Sequence, residues 1–260
     1  MIAVALTIAG SDPSGGAGIQ ADLKTFHQFG VYGEAVVTLL TVQNTRRVSR
    51  VECLPPDLVA EQLAAVIEDI PPQAAKTGAL GNRAVVEAVA EAAAGAPFPL
   101  VVDPVMISKH GAPLMDTAAR GALAALLLPK AFLVTPNVPE AEALSGLEIR
   151  DLEGMRRAAE RIQKPGGAAV LVKGGHLPET ATDVLLIGSK WFTFSASRID
   201  TQRTHGTGCT YSAAITAGLA VGLSVEEAVA RAKKFITGAI RTAPALGSGC
   251  GPVNHFAPAR

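Results

Sequence analysis

Residues 2–29 have the sequence IAVALTIAGSDPSGGAGIQADLKTFHQF, and this stretch shows how the chain begins to fold. The nearly continuous apolar run predicts a buried strand over Ala3–Ala9, because strands of a parallel sheet are covered on both faces. After a turn rich in glycine, the pattern changes to that of a helix over Gly18–Phe29. A strand, a polar turn and a helix form the repeating unit of α/β proteins.

The same alternation continues along most of the chain. Further strands are predicted at Glu34–Thr41, Ala74–Thr77, Leu100–Val102, Phe132–Thr135 and Ala169–Lys173. Helical patterns cover Pro56–Asp69, Arg83–Ala93, Thr117–Leu127, Glu140–Ser145 and Leu152–Gln163. The pattern predicts an α/β fold with an open, mostly parallel central sheet and helices on both of its faces.

The alternation is interrupted once, towards the end of the chain. Val184–Ile187 and Trp191–Ser195 surround the turn residues Gly188-Ser189, which predicts a hairpin at one edge of the sheet. Two helices, over Thr210–Val221 and Val225–Thr242, follow it. Because no composition shift or flexible linker divides the sequence, we expect residues 1–260 to form a single domain.

The composition limits the classes of partner. Lys and Arg together number 23 and so do Asp and Glu, and a net charge of zero favours neither nucleic acid nor an acidic membrane. The run over Ile2–Ala9 lacks the basic flank of a signal peptide, and Ala213–Leu223 is too short and too interrupted to cross a membrane. The three cysteines are widely spaced, which indicates neither a disulfide framework nor a zinc site. We expect a soluble cytoplasmic protein.

Polar residues follow several predicted strands directly. Gly10-Ser11-Asp12, Gln43-Asn44, Asp103, Asn137 and Lys173 all occupy such positions. Ligands of open α/β sheets bind outside the carboxyl ends of the strands, so these residues are candidates for a common site. Loops are generally polar, but a lysine or an aspartate placed straight after a buried run is costly unless it is paired.

The segment His205-Gly206-Thr207-Gly208-Cys209 places a glycine turn before an apolar helix. Free N–H groups at a helix start, together with the positive end of the helix dipole, stabilise an anion such as a phosphoryl group. The alternative is a glycine-rich loop that only leads into a buried helix. The pentapeptide alone does not decide between them.

A dinucleotide-binding site is the competing interpretation of the first turn. Gly16-x-Gly18-x-x-Ala21 imitates the fingerprint of nicotinamide and flavin enzymes. That fingerprint lies tightly at the strand end and requires an acid after the second strand, but six residues intervene here and Gln43-Asn44 follow the second strand. A Walker A loop is also absent from the sequence, so ATP use would need another phosphate cradle.

Seven segments in order resemble the hydroxymethylpyrimidine/phosphomethylpyrimidine kinases of thiamine biosynthesis, a family of the ribokinase-like superfamily. They are GSDPSGGAGIQADLKTF (10–26), TVQNT (41–45), VVDPVM (101–106), TPNVPEAEAL (135–144), LVKGGH (171–176), THGTGCT (204–210) and GPVNHF (251–256). The resemblance covers essentially the whole chain. Each motif is weak alone, and their combination is highly specific.

The resemblance implies a pyrimidine site formed by the first glycine loop, its helix and the second strand. The corresponding positions in this sequence are Gly10, Asp22 and Gln43, with Val42, Val105 and Met106 as apolar walls. A carboxamide such as that of Gln43 both donates and accepts, which suits the edge of an aminopyrimidine. The structural alternatives are a loop glutamine that caps backbone groups and ordinary sheet core for Val42 and Val105. Ala79 stands where the family often has Met.

The resemblance also implies a site for ATP and Mg²⁺. Asn137 and Glu140 match the NxxE element that organises Mg²⁺ around nucleotide phosphates, although the same spacing suits a helix cap and its capping-box partner. Asp103 would help to hold the metal or its waters, as Glu140 would through water. Lys173 would neutralise transferring phosphate oxygens.

Within the resemblance, the glycine turn would form the catalytic anion cradle. Gly206 and Gly208 shape it, Thr207 would bind the nucleotide, and Cys209 stands where sugar kinases of the superfamily have an aspartate as general base. A free thiol has a pKa of about 8.5, and the helix start is expected to stabilise its thiolate. The structural alternative for Cys209 is a small buried hydrophobe. His176 and His205 follow phosphate-site motifs and are expected to contribute hydrogen bonds without a catalytic role.

The resemblance therefore implies a kinase that uses Mg·ATP to phosphorylate 4-amino-5-hydroxymethyl-2-methylpyrimidine and then its monophosphate. Pyridoxal kinase is the nearest alternative, because pyridoxine is also a flat heteroaromatic with a hydroxymethyl group. A non-catalytic pyrimidine sensor is the alternative of another class, but such a protein would be expected to lose Lys173, Asn137, Glu140 or the GTGC turn. Relatives in the superfamily are often dimers, which suggests a homodimer.

Overall fold

The structure is a computed structural model that describes residues 2–109, 111–163, 167–175 and 181–259. In this part of the chain, nine strands join in one sheet in the order β3-β2-β1-β4-β5-β6-β7-β8-β9. The strands are β1 Val4–Ser11, β2 Tyr32–Gln43, β3 Val48–Cys53, β4 Ala74–Thr77, β5 Leu100–Val102, β6 Leu133–Val134, β7 Ala169–Val172, β8 Ala181–Ile187 and β9 Lys190–Ala196.

Parallel pairing holds the centre of the sheet together from β2 to β7. At the two edges the pairing is antiparallel, between β2 and β3 and among β7, β8 and β9. The predicted hairpin at one edge is confirmed. The sequence analysis missed β3, because its Ser49, Arg50 and Glu52 are exposed and leave only a short alternating pattern.

Helices cover both faces of the sheet, as predicted. They are α1 Gly18–Gln28, α2 Pro56–Asp69, α3 Arg83–Ala92, α4 Thr117–Ala122, α5 Val138–Ser145, α6 Leu152–Gln163, α7 Thr207–Ala220 and α8 Val225–Arg241. One buried cluster joins the sheet to α2, α3 and α6, and the other joins it to α1, α7 and α8. Since residues of a strand alternate between faces, Leu6 of β1 belongs to the first cluster and Ala5 to the second.

Two predicted helices differ from their expected bounds by three residues or more. The helix expected over Thr117–Leu127 ends as α4 at Ala122 and continues as a π-helical turn over Leu123–Leu127. The helix expected from Thr210 starts at Thr207, because Gly206 adopts a left-handed φ of 77° and reverses the chain just before it. The early start places Gly208 and Cys209 in the first turn of α7.

Nearly all of α7 is buried, from Thr210 to Ala220. This helix packs against α1, α8 and the strands β1 and β4, so its N-terminal end is fixed beside the carboxyl ends of the central strands. Within the described ranges, no helix combines the length and the apolar character needed to cross a membrane.

Candidate active site

A cavity of about 1040 Å³ lies at the carboxyl edge of the sheet. The ends of the central strands and the start of α7 form its walls. It brings together almost all the residues predicted from the sequence: Gly10, Gln43, Asp103, Val105, Met106, Asn137, Glu140, Lys173, Gly206, Thr207, Gly208 and Cys209. Residues separated by up to 199 positions in the chain thus line one cavity, as expected for an α/β sheet.

Two predicted pyrimidine-binding residues do not line this cavity. Thr41 and Gln43 of β2 line the cavity. Because side chains alternate along a strand, Val42 between them projects to the other face of the strand, where its side chain is 56% exposed. Asp22 belongs to the face of α1 that is buried, and it is fully inaccessible. The structure therefore does not bring Val42 and Asp22 into the cavity with the other residues predicted to bind the pyrimidine.

A buried ion pair forms the centre of the cavity wall. Lys173 Nζ lies 2.9 Å from Asp103 Oδ1, which also accepts from Thr135 Oγ1 at 3.1 Å. Ser212 Oγ of α7 donates to the other carboxylate oxygen at 3.0 Å. Burial would raise the pKa of Asp103, but Lys173, Lys76 and Ser212 outweigh burial and hold it below its usual range. Asp103 is thus ionised and keeps Lys173 in place.

Asn137 and Glu140 form a complete capping box at the start of α5. Asn137 Oδ1 accepts from Glu140 N at 2.9 Å, and Glu140 Oε2 accepts from Asn137 N at 2.8 Å. Asn137 also pairs with Lys173 in an isolated parallel bridge, which fixes the helix start beside the lysine. Burial raises the pKa of Glu140 to about 7, against the opposing charge of Lys173. The structural role predicted for the pair is present, and both residues line the cavity as well.

The glycine turn approaches its neighbours closely. A Cβ at Gly206 would collide with the carbonyl oxygen of Gly16, so both the left-handed φ and the space require glycine there. A Cβ at Gly208 would lie 3.6 Å from Lys173 Nζ and 3.9 Å from Asp103 Oδ2. The N–H groups of Gly208 and Cys209 lie in the first turn, where an α-helix offers no acceptor. The turn, the helix dipole and the ammonium of Lys173 together form an anion cradle.

Cys209 is partly buried at the mouth of this cradle. Burial raises the pKa of its thiol to about 11, although the charge of Lys76 and a hydrogen bond from the N–H of Gly18 lower it. The helix start was expected to give the thiolate some help, but desolvation and the nearby carboxylates Asp22 and Asp103 outweigh the groups that favour it. At neutral pH Cys209 is a thiol.

Asp12 joins the two halves of the cavity; the sequence analysis placed it among the candidates for a common site but gave it no specific role. Its Oδ2 lies 2.7 Å from His205 Nε2 and accepts from the N–H groups of Gly16 and Ala17. Its Oδ1 accepts from the N–H and the hydroxyl of Ser14. Burial would raise the pKa of Asp12, but hydrogen bonds from His205, Ser14 and Gln43 hold it well below the usual range. The loop beside Gln43 is thus attached to the residue that precedes Gly206.

A second buried pair lies beside α8 and was also missed. Lys233 Nζ contacts Asp183 Oδ2 at 2.7 Å and the carbonyl oxygen of Ala181 at 2.7 Å. The hydroxyl of Tyr211 donates to the same carboxylate at 2.9 Å, and burial raises the pKa of Tyr211 well above its usual value. These residues line the cavity together with the apolar side chains of Ile236 and Ile240. This end combines an apolar surface with a fixed charge pair.

The opposite end of the cavity is mainly apolar and carries few polar groups. Val105, Met106, Leu114 and Ala79 provide apolar walls, and Gln43 contributes a carboxamide. A flat heteroaromatic ring with polar edge groups fits this combination. His176, for which hydrogen bonds were predicted, lies outside the described residues.

The first glycine turn does not have the arrangement of a dinucleotide site. Gly16 N donates to Asp12, and Gly18 forms an isolated bridge with Ser11. A Cβ at Gly18 would collide with the carbonyl oxygen of Gly10, so this glycine is needed for the return of the loop onto β1. The glycines on which the dinucleotide interpretation depended therefore serve the structure of the loop itself.

The sheet, the anion cradle and the buried lysine define a ribokinase-like kinase. A family model described as phosphomethylpyrimidine kinase matches residues 12–254. The chain belongs to the phosphomethylpyrimidine kinase family. The predicted family, fold class and kinase class are thereby confirmed.

Named relatives agree with this assignment. The chain is 48% identical to a hydroxymethylpyrimidine/phosphomethylpyrimidine kinase of Haemophilus influenzae over 98% of this chain and 97% of that protein. It is 51% identical over 96% of its length to a thiamine biosynthesis bifunctional protein of Geobacter sulfurreducens, of which it spans 52%. The chain thus corresponds to about half of that bifunctional relative.

Solved structures include kinases for two kinds of acceptor. An ADP complex of Bacillus subtilis pyridoxal kinase has a TM-score of 0.90 and 40% identity, covering 99% of this chain and 98% of that one. A phosphomethylpyrimidine kinase of Clostridium difficile has a TM-score of 0.81 and 43% identity, covering 90% of this chain and 98% of that one. The fold is therefore shared by pyrimidine and pyridoxal kinases.

Proposed function

We propose that this protein transfers the γ-phosphoryl group of ATP to 4-amino-5-hydroxymethyl-2-methylpyrimidine and then to the resulting monophosphate, in thiamine biosynthesis. One observation carries the proposal: a single cavity joins Gln43 and apolar walls at one end to the cradle of Gly206, Gly208 and Lys173. The names of the relatives support the substrate class. Asp12 bonds to both His205 and Gln43, which supports a fixed relation between the two ends.

The acceptor occupies the end at Gln43. Its ring packs between Val105, Met106 and Ala79, and the carboxamide of Gln43 pairs with its polar edge. Gly10 allows β1 to pack closely on Leu39, because a Cβ at this position would collide with the Leu39 side chain. The hydroxymethyl group then points towards Cys209.

ATP occupies the other end. The structural relative in complex with ADP supports nucleotide use, and Ile236 and Ile240 of α8 offer an apolar surface to a base. The γ-phosphoryl oxygens lie in the cradle, where Lys173, Thr207 and the N–H groups of Gly208 and Cys209 neutralise them. Positioning and charge neutralisation provide most of the rate enhancement in such reactions.

In the first transfer, the hydroxyl oxygen of the acceptor forms a bond to the γ-phosphorus. The bond from this phosphorus to the bridging oxygen breaks, and ADP leaves with the electron pair. Because Cys209 is a thiol at neutral pH, it acts as the base only in its minor thiolate form, which accepts the hydroxyl proton and returns to the thiol. In the second transfer the attacking phosphate oxygen is already anionic, so it has little need of Cys209 and depends on charge neutralisation by Lys173.

The donor set fits Mg²⁺. Within the described ranges, no group of three or more His, Cys, Asp or Glu side chains could hold a metal alone, and Mg²⁺ usually takes one or two carboxylates and keeps several waters. Asp103 and Glu140 would hold the ion, Glu140 through water, and the open side of Gly208 leaves space beside Asp103. The ion would supply positive charge to the nucleotide phosphates. The raised pKa of Glu140 is consistent with a carboxylate that lacks sufficient countercharge.

Pyridoxal is a second candidate acceptor, because the chain is 40% identical to a pyridoxal kinase of the same fold. A coupled assay of ADP release should compare the pyrimidine alcohol, pyridoxal, a sugar and no acceptor. The proposal requires the highest kcat/KM for the pyrimidine alcohol. A higher value for pyridoxal, or release without any acceptor, contradicts it.

The proposal includes a single kinase domain over residues 1–260, acting in the cytoplasm. The proposal of a homodimer rests only on the fact that relatives in the superfamily are often dimers. Light scattering of the purified protein measures its mass directly, and a mass of 26.6 kDa for the main species would contradict the dimer.

A further inference from the structure

A further buried ion pair, in addition to Lys173–Asp103 and Lys233–Asp183, lies beneath the floor of the cavity. Lys76 Nζ is 2.8 Å from Asp22 Oδ2, and Thr7 Oγ1 donates to the same oxygen at 2.6 Å. All three residues are fully inaccessible, and none of them lines the cavity. The proposed reaction gives them no direct contact with a substrate.

Strand register and helix packing place the three side chains together. Thr7 of β1 and Lys76 of β4 are direct partners in the parallel pair, so their side chains project to the same face. Asp22 comes from the buried face of α1, which packs on β1. The pair is therefore fixed by the most central elements of the fold.

The pair lies next to the end of the cavity where Cys209 is found. Gly78, two residues after Lys76, lines the floor, and a Cβ at Gly78 would lie 3.8 Å from Lys76 Nζ. The first turn of α7 carries Cys209, and α7 packs on β4. The positive charge of Lys76 lowers the pKa of the Cys209 thiol, against the effect of burial.

Stability alone is a poor explanation for this pair. A buried ion pair recovers its desolvation cost only when its remaining hydrogen-bonding capacity is satisfied. Asp22 Oδ1 is buried and has no hydrogen-bond partner among the described residues. Apolar side chains of similar size would fill the same space without that cost.

We propose that Lys76 is a positioning residue for the phosphoryl transfer. Asp22 and Thr7 hold its ammonium group beneath Cys209. There the ammonium is the countercharge for Cys209 when the thiol loses its proton. The inference rests on the proposed role of Cys209. Lys76 keeps a positive charge at this place, because the attraction of Asp22, Cys209 and Asp103 outweighs burial and raises its pKa.

The groups that act on Cys209 have opposite signs. Lys76 and the N–H of Gly18 favour the thiolate, whereas Asp22 and Asp103 oppose it. Lys173, on the cradle side, also interacts with Cys209. Loss of Lys76 should therefore suppress the thiolate, and loss of Asp22 should promote it, although both changes break the same ion pair.

The test is the alkylation rate of Cys209 by iodoacetamide between pH 7.5 and 9.5, resolved from the other cysteines by peptide mass spectrometry. Lys76→Met should lower the rate about tenfold, and Asp22→Asn should raise it severalfold, since the rate follows the thiolate fraction below the thiol pKa. Cys53 and Cys250, which belong to other parts of the fold, serve as internal controls and should not change.

A purely structural role would loosen the site in both variants and change both rates in the same direction, and that result overturns the proposal. Unchanged rates overturn it as well. If Lys76→Met fails to fold, Asp22→Asn and the double variant Lys76→Met/Asp22→Asn decide: the double variant must react more slowly than Asp22→Asn. Because the rate is measured without substrates, it is separate from the turnover of Cys209→Ala, which tests the proposed function.

Discussion

Glu140→Gln should stabilise the folded protein while it impairs the kinase. Burial raises the pKa of Glu140 from 4.5 to about 7, a difference of about 2.5 units at 1.36 kcal/mol each. The ionised carboxylate thus costs the folded state up to about 3 kcal/mol above pH 7. Glutamine removes the charge and can still accept the hydrogen bond from Asn137 N through its amide oxygen.

The sign of this effect depends on pH. Between pH 4.5 and 7 the folded protein keeps a proton on Glu140 that the unfolded chain has lost, so this group makes the protein less stable as the pH rises. Glu140→Gln and the unmodified protein should therefore be similar in stability near pH 4.5. The difference should grow to its full value above pH 7.

Thermal unfolding without nucleotide or divalent metal measures this difference. For a chain of this size, 3 kcal/mol corresponds to an increase in Tm on the order of 5 to 10 °C at pH 8. Glu61→Gln, which removes an exposed carboxylate from α2, is the control and should change Tm little. An equal or lower Tm for Glu140→Gln at pH 8, or a gap that is constant from pH 5 to pH 8, would refute the reasoning.

Three further predictions concern the kinetic constants kcat and KM. Cys209→Ala should lower kcat for the alcohol by a factor of about 10² to 10⁴ and kcat for the monophosphate much less, and Cys209→Asp should retain more activity than Cys209→Ala. Equal losses for both acceptors in single-turnover assays would contradict the role of Cys209 as base. Gln43→Ala should raise the KM for the acceptor roughly 5- to 150-fold, which corresponds to about 1 to 3 kcal/mol of lost binding, and leave the KM for ATP unchanged. Val42→Ala is the matched control, because Val42 is adjacent in sequence but lies outside the cavity. A similar increase in KM for Val42→Ala would argue against specific recognition by Gln43. Lys173→Ala should impair both phosphorylations in the same assays, and an intact second transfer would remove Lys173 from the cradle.

Much of the fold follows from local patterns in the sequence. Ala74–Thr77 and Leu100–Val102 are strands with the predicted bounds, because apolar runs bounded by polar turns have few alternatives in an α/β chain. The helix Pro56–Asp69 also has the predicted bounds, with proline at its first position. β3 was missed, because an exposed edge strand has no apolar face of its own.

Tertiary contacts account for what the sequence could not reveal. Asp12 and His205 are 193 positions apart, and Lys76 and Asp22 are 54 positions apart, so no local pattern pairs them. The Asp-Pro-Ser-Gly segment after β1 is typical of a turn in which an aspartate binds backbone N–H groups, and this unused signal could have pointed to Asp12. The strongly raised thiol pKa of Cys209 depends on burial among carboxylates from α1 and from the end of β5, which a glycine turn alone does not show.

Two successive phosphorylations at one site are the central claim of this account. The most direct test is ³¹P NMR of the purified protein with Mg·ATP and 4-amino-5-hydroxymethyl-2-methylpyrimidine, followed over time. The account predicts that a monophosphate signal rises first and then falls as the diphosphate appears. A monophosphate that accumulates and is never extended, or no product from the pyrimidine while pyridoxal is phosphorylated, would contradict it.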